Sequence, residues 1–73
     1  SRRMEIAEAR QVSMYLCRDI MGTSLNNIGL FFGGRDHTTV MHAVKTVKEK
    51  QLSNSQMKRM ISTIRKELGF NFL

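Results

Sequence analysis

Apolar side chains recur along this chain at three- and four-residue steps, the spacing of one face of an α-helix. From about Met4 to Met21 the stripe is Ile6, Ala9, Val12, Leu16, Cys17 and Ile20, and Gly22-Thr23 ends it, with Gly22 suited to the C′ position. Ser24 is placed to cap a short second helix from Leu25 to about Phe31, whose buried face carries Leu25, Ile28 and Phe32. The segment Phe32-Gly33-Gly34-Arg35 then reads as a sharp turn, with at least one of the two glycines at positive φ. Asp36 is the expected N-cap of a third helix, His37 to about Gln51, with Val40, Ala43, Val44 and Val47 inward and His37, Thr38, Lys45 and Lys48 outward. Ser53-Asn54-Ser55-Gln56 breaks the pattern and has the form of a capping box, Ser53 as cap and Gln56 three residues on. A fourth helix, about Ser55 to Leu68, presents Met57, Met60, Ile61, Ile64 and Leu68 on one side. Gly69 ends it, and Phe70 and Phe72 are expected to fold back onto the core. Ser1-Arg2-Arg3 precedes the first helix as a short basic arm. The expected fold is all-α: four helices, one domain over residues 1–73.

Composition narrows the function. Twelve Lys and Arg against six Asp and Glu give a formal net charge of +6, which draws a small domain towards polyanions, either nucleic acid or an anionic membrane surface. Cys17 is the lone cysteine, so no intrachain disulfide forms and a reducing, cytoplasmic setting fits. Nothing resembles a signal peptide, and no apolar run approaches the ~18 residues of a membrane span. The start at Ser1, with no initiator methionine, fits an excised fragment.

The short helix, glycine turn and polar-fronted third helix carry the chemistry. In a helix-turn-helix the second helix sets its N-terminal residues against base edges in the major groove. Asp36, His37, Thr38 and Thr39 are small or planar and end in hydrogen-bonding groups, as that role demands. The same residues fit a plain capping role, and spacing leaves both readings open. His37 and His42 are five residues apart, which points them roughly 140° from each other on a helix and leaves no shared metal. Asp36-His37 lacks an activated nucleophile or a glycine-rich phosphate loop beside it, so an enzyme is not expected. Cys17, Met57 and Met60 read as packing, and Arg59, Arg65 and Lys66 as a solvated face, with direct DNA contact the alternative.

The run Ile28-Gly29-Leu30-Phe31-Phe32-Gly33-Gly34-Arg35-Asp36-His37-Thr38-Thr39-Val40-Met41-His42-Ala43 closely resembles the signature of the C-terminal domain of the bacterial replication initiator family DnaA. The stretch Ala9 to Asp19 resembles that family's long helix. The likeness spans about Ile6 to Val47. It implies a helix-turn-helix of the Trp-repressor-like group that binds double-stranded DNA at DnaA boxes, short asymmetric sites in the replication origin. By resemblance, Asp36, His37 and Thr38 touch bases and Thr39 a neighbouring phosphate. Arg10, Gln11 and Arg18 hold the backbone, Arg2 enters the adjacent minor groove, and Leu25 and Asn26 lie against the DNA at the start of the second helix. Asn26 stands where many relatives have proline. Thr46 stands where many have lysine, with Lys45 and Lys48 beside it as substitute backbone contacts. The family's ATP-binding module is absent from this chain, so no cofactor is expected. Anionic phospholipid is a secondary partner to weigh, as is a protein-interaction role, and the domain itself is expected to be monomeric and nucleoid-associated.

Overall fold

The computed structural model describes residues 1–69, and the expectation for Phe70 and Phe72 lies outside them. Four helices follow in order: α1 Arg2–Asp19, α2 Leu25–Phe31, α3 His37–Ser53 and α4 Ser55–Glu67. Among the described residues α3 is the central element, packing on each of the other three helices.

The core divides into two clusters, one on either side of α3. Met14, Ile28, Val40 and Ala43 form the first, with half-buried Cys17, Leu25 and Phe32 around it. It ties α1 to the helix-turn-helix. Val12, Tyr15, Val47, Met57 and Ile61 form the second and seat α4 on α1 and α3. Val44 touches both clusters, so the stripe along α3 serves two packing faces. Ile28, Val40 and Val47 are fully buried, each supplying about 1.5–3 kcal/mol by leaving water.

The buried face of α1 is rotated from the expected stripe. Met14 and Tyr15 are buried, whereas Ile6 and Ala9 are exposed. A helix held between two clusters buries neighbouring positions on its circumference rather than a single narrow line, and its first turns overhang the end of the core. On α4, which packs through the second cluster alone, Met60 and Leu68 are exposed, although both were expected to pack.

The helix ends correct four local expectations. Residues 1–3 are no arm: Ser1 caps α1, its Oγ accepting the Met4 N–H at 3.4 Å, and Arg2 and Arg3 are already helical. The hydroxyl satisfies one of the open N–H groups of the first turn, which makes helix the better state there. At its other end α1 stops at Asp19 rather than Met21, and Gly22 (φ +66°) reverses the chain. Next, α3 runs two residues beyond Gln51, to Ser53. Finally, Asn54 replaces Ser53 as the cap of α4, with Oδ1 accepting the Met57 N–H at 3.0 Å. The Asn54 N–H donates to the Lys50 carbonyl at 2.8 Å, so one residue closes α3 and opens α4, and the Ser53–Gln56 capping box does not form.

Among the described residues two ion pairs bridge the helices. Lys50 on α3 meets Glu8 on α1 at 3.0 Å. Arg65 on α4 pairs with Asp19 at the end of α1, and the hydrogen bond to that carboxylate raises the guanidinium pKa above its ordinary value. Arg65 thus helps to fasten α4 and is not simply part of a solvated face.

Candidate nucleic-acid interface

The joint between α2 and α3 is set by backbone. Gly33 (φ +85°) and Gly34 (φ +74°) both adopt left-handed conformations, as a turn between two close helices requires. The closer constraint is Gly29, inside α2. Its carbonyl accepts the Arg35 N–H at 2.9 Å, and a Cβ there would lie 2.0 Å from the Arg35 carbonyl oxygen. The turn therefore folds directly back over α2, and only the missing side chain lets it. Sequence reading passed over Gly29. Its signal was an isolated glycine in an otherwise helical run just before a turn, a common mark of close backbone approach.

Asp36 caps α3, its Oδ1 accepting the Thr38 N–H at 3.1 Å. The same oxygen lies 3.0 Å from His37 Nδ1. One carboxylate oxygen thus stabilises the helix start and lies against the imidazole, while the other remains open to a donor. The Thr38 hydroxyl makes no hydrogen bond among the described residues. Capping thus draws on the Asp36 side chain and the Thr38 backbone, which leaves the threonine's own tip exposed and unengaged. His37 and Asp36 are also largely exposed.

Beside this helix start, α1 and α3 enclose an open cleft of about 380 Å³. Arg10 and Gln11 line it from α1, Arg35 from the turn, and Thr38, Thr39 and His42 from α3. Its charged side chains are both arginines, and no carboxylate of the described residues lines it. Adding the N–H groups and positive dipole end of α3 gives a concave surface suited to an anionic backbone.

The expected contact residues fall into two groups. Arg10, Gln11, Thr38 and Thr39 converge on the cleft, with Asp36 and His37 immediately before Thr38 on the chain. Arg2 and Arg18 sit eight residues before and after Arg10, about 12 Å along α1 in either direction, and neither lines the cleft. Arg2 is exposed in the first turn of α1, while Arg18 Nη1 donates to the Thr23 carbonyl at 3.1 Å and braces the Gly22 turn. Leu25 is half-buried against the core and Asn26 is exposed at the start of α2. Lys45 and Lys48 are exposed further along α3, Lys45 lying 4.0 Å from Glu49. The sequence reading gave no role in the interface to Arg35 or His42. Position would have found both: Arg35 directly precedes the cap, and His42 lies one turn beyond Thr38.

Residues 1–47, which hold α1, the turn and most of α3, match the family described as the bacterial dnaA protein helix-turn-helix. The chain belongs to the bacterial DnaA family. It is similar to the chromosomal replication initiator protein DnaA of Chlorobaculum tepidum, 44% identical over 68 residues that make up 93% of this chain and 14% of that protein. The DnaA of Lactococcus lactis subsp. cremoris is 48% identical over 63 residues, 86% of this chain and 14% of the relative. That of Ruegeria pomeroyi is 48% identical over 62 residues, 85% and 13% respectively. The chain spans about a seventh of the length of these curated DnaA relatives. No solved structure matches it. The match places this chain as the helix-turn-helix DNA-binding domain of that family. No helix among the described residues is long and apolar enough to cross a membrane.

Proposed function

We propose that this domain recognises DnaA-box duplexes of the replication origin, with the N-terminal turn of α3 in the major groove. The single observation that carries the reading is the division of labour at Asp36-His37-Thr38. The cap uses Asp36 Oδ1 and the Thr38 N–H, so the Thr38 hydroxyl and methyl, the His37 ring and the second Asp36 oxygen remain presented outward. A threonine in that place can donate to a base acceptor and set its methyl against thymine, and a carboxylate accepts from an exocyclic amine. Asp36 also argues for base edges over phosphate, because a carboxylate repels the backbone.

Arg10, Gln11, Arg35 and Thr39 hold the phosphates beside that helix end and supply affinity without sequence preference. Arg18, Lys45 and Lys48 extend the basic track, Leu25 and Asn26 abut the duplex from α2, and Arg2 reaches the neighbouring minor groove from a helix rather than from an arm. The domain acts as a monomer at the nucleoid, without a cofactor of its own.

Fluorescence anisotropy with a DnaA-box duplex and a scrambled one tests this. Thr38→Ala should cost about 1–3 kcal/mol on the box and almost nothing on the scrambled duplex. Melting temperature should hold, since the hydroxyl caps nothing. An equal loss on both duplexes would refute base reading. A parallel arm with anionic vesicles separates DNA recognition from attraction to phospholipid, which a sequence-selective protein shows only as a weaker, salt-sensitive property.

A further inference from the structure

His42 follows Thr38 by four residues on α3 and so shares its face, and it lines the same cleft. Its ring is exposed. Unlike His37, which faces Asp36, it has no hydrogen-bond or carboxylate partner among the described residues. The charged groups around it are Arg10 from α1 and Arg35 from the turn, with Lys45 three residues on along α3. Neither α2 nor α4 adds a charged side chain to the cleft. In the free protein the imidazole faces cations and hydroxyls, with no acidic partner among the described residues. A phosphate entering that cleft changes this: it accepts from the ring and favours the imidazolium.

We propose that His42 is a further backbone contact of the recognition helix, donating to a DNA phosphate as the imidazolium, so that the domain takes up a proton as it binds. The inference rests on the reading of α3 as the helix that enters the duplex. It requires only a phosphate at the cleft and no particular base sequence. Binding therefore tightens as pH falls through the imidazole range, on any duplex.

The test is anisotropy at constant ionic strength from about pH 8.5 to about pH 5.5, with DnaA-box and scrambled duplexes and the full 73-residue chain. A His37→Gln background removes the other imidazole of the interface. An imidazolium preferred tenfold by the bound state gives a gain approaching tenfold across that range, and His37→Gln should show it on both duplexes. Adding His42→Gln should reduce the gain to less than twofold, with circular dichroism melts unchanged at both ends of the range. A gain that persists in the double variant, or a flat profile in His37→Gln alone, would overturn the proposal. A pH gain in His37→Gln together with no preference for the box in the parent chain, which keeps His37, would instead overturn the box reading and leave His42 in place. Loss of binding to every duplex would overturn both.

Discussion

Gly29→Ala sets two physical effects against each other and lets the structure choose the sign. By helix propensity alone, replacing a glycine within a helix by alanine stabilises by about 0.8–1 kcal/mol. Here the new Cβ would stand 2.0 Å from the Arg35 carbonyl oxygen and 3.1 Å from its carbon, both backbone atoms that no rotamer change can move. Restoring an ordinary contact at 3.4 Å means opening α2 from the turn by about 1.4 Å. Overpacking of this kind costs about 1–3 kcal/mol, and weakening the Arg35 N–H bond to the Gly29 carbonyl adds about 1. After the propensity gain, the net loss is about 1–3 kcal/mol. That is a large part of the ~4–11 kcal/mol expected of a 73-residue domain. At roughly 4–8 °C per kcal/mol, thermal melts followed at 222 nm should fall by about 5–20 °C. Gly34→Ala is the comparison: its φ of +74° is strained for alanine, but a Cβ there meets nothing within 4 Å, so about 1 kcal/mol is at stake. Gly29→Ala should be the more damaging, and should weaken DNA binding even where folded, because Arg35 and the α3 cap move with the turn. A Gly29→Ala protein that melts at or above the parent temperature would refute the close-approach argument.

Two further outcomes follow from the same geometry. Asn54→Ala should lower stability by about 1 kcal/mol and Ser53→Ala by almost nothing, since Asn54 alone caps α4; chemical denaturation of the pair checks it, and the reverse order would restore the Ser53 cap. Affinity for duplex DNA should fall with salt at a log–log slope of about −3 from Arg10, Arg35 and Arg18, steepening to about −4.5 with Lys45 and Lys48 engaged, and Arg10→Ala should make it shallower by about one on cognate and random DNA alike; a slope unchanged by Arg10→Ala removes that residue from the phosphate contacts.

The sequence carried the number of helices, their order and the glycine turn before the third, because these rest on short-range rules. Periodic apolar positions marked four helices, Ser24 and Asp36 had the chemistry of caps, and the paired glycines marked the turn. What it could not carry depends on neighbours distant in the chain. Whether Met14 or Ile6 is buried is decided by where α2, α3 and α4 lie around α1, which the period of α1 alone does not specify. Ser53 and Asn54 are both good caps, and the choice between them turns on how far α3 extends before the Asn54 N–H finds the Lys50 carbonyl. The cleft shows the same limit. The helix start was legible in Asp36-His37-Thr38-Thr39, but that Arg10 and Gln11 face it across a gap, while Arg18 turns aside to Thr23, is a fact of tertiary packing.

The double engagement of Asp36 bears on how such a domain could be given a new target sequence. The oxygen that caps α3 is the one beside His37, so under the proposed base reading any substitution at Asp36 changes the folding of α3 together with what it reads. Thr38 carries no such obligation through its side chain. Retargeting by mutation therefore has an open route through Thr38 and a guarded one through Asp36, where Asn and Ser, and less well Thr and Gly, keep the cap. A library randomised across the helix start should return folded, selective binders that differ freely at Thr38 and hardly at all at Asp36.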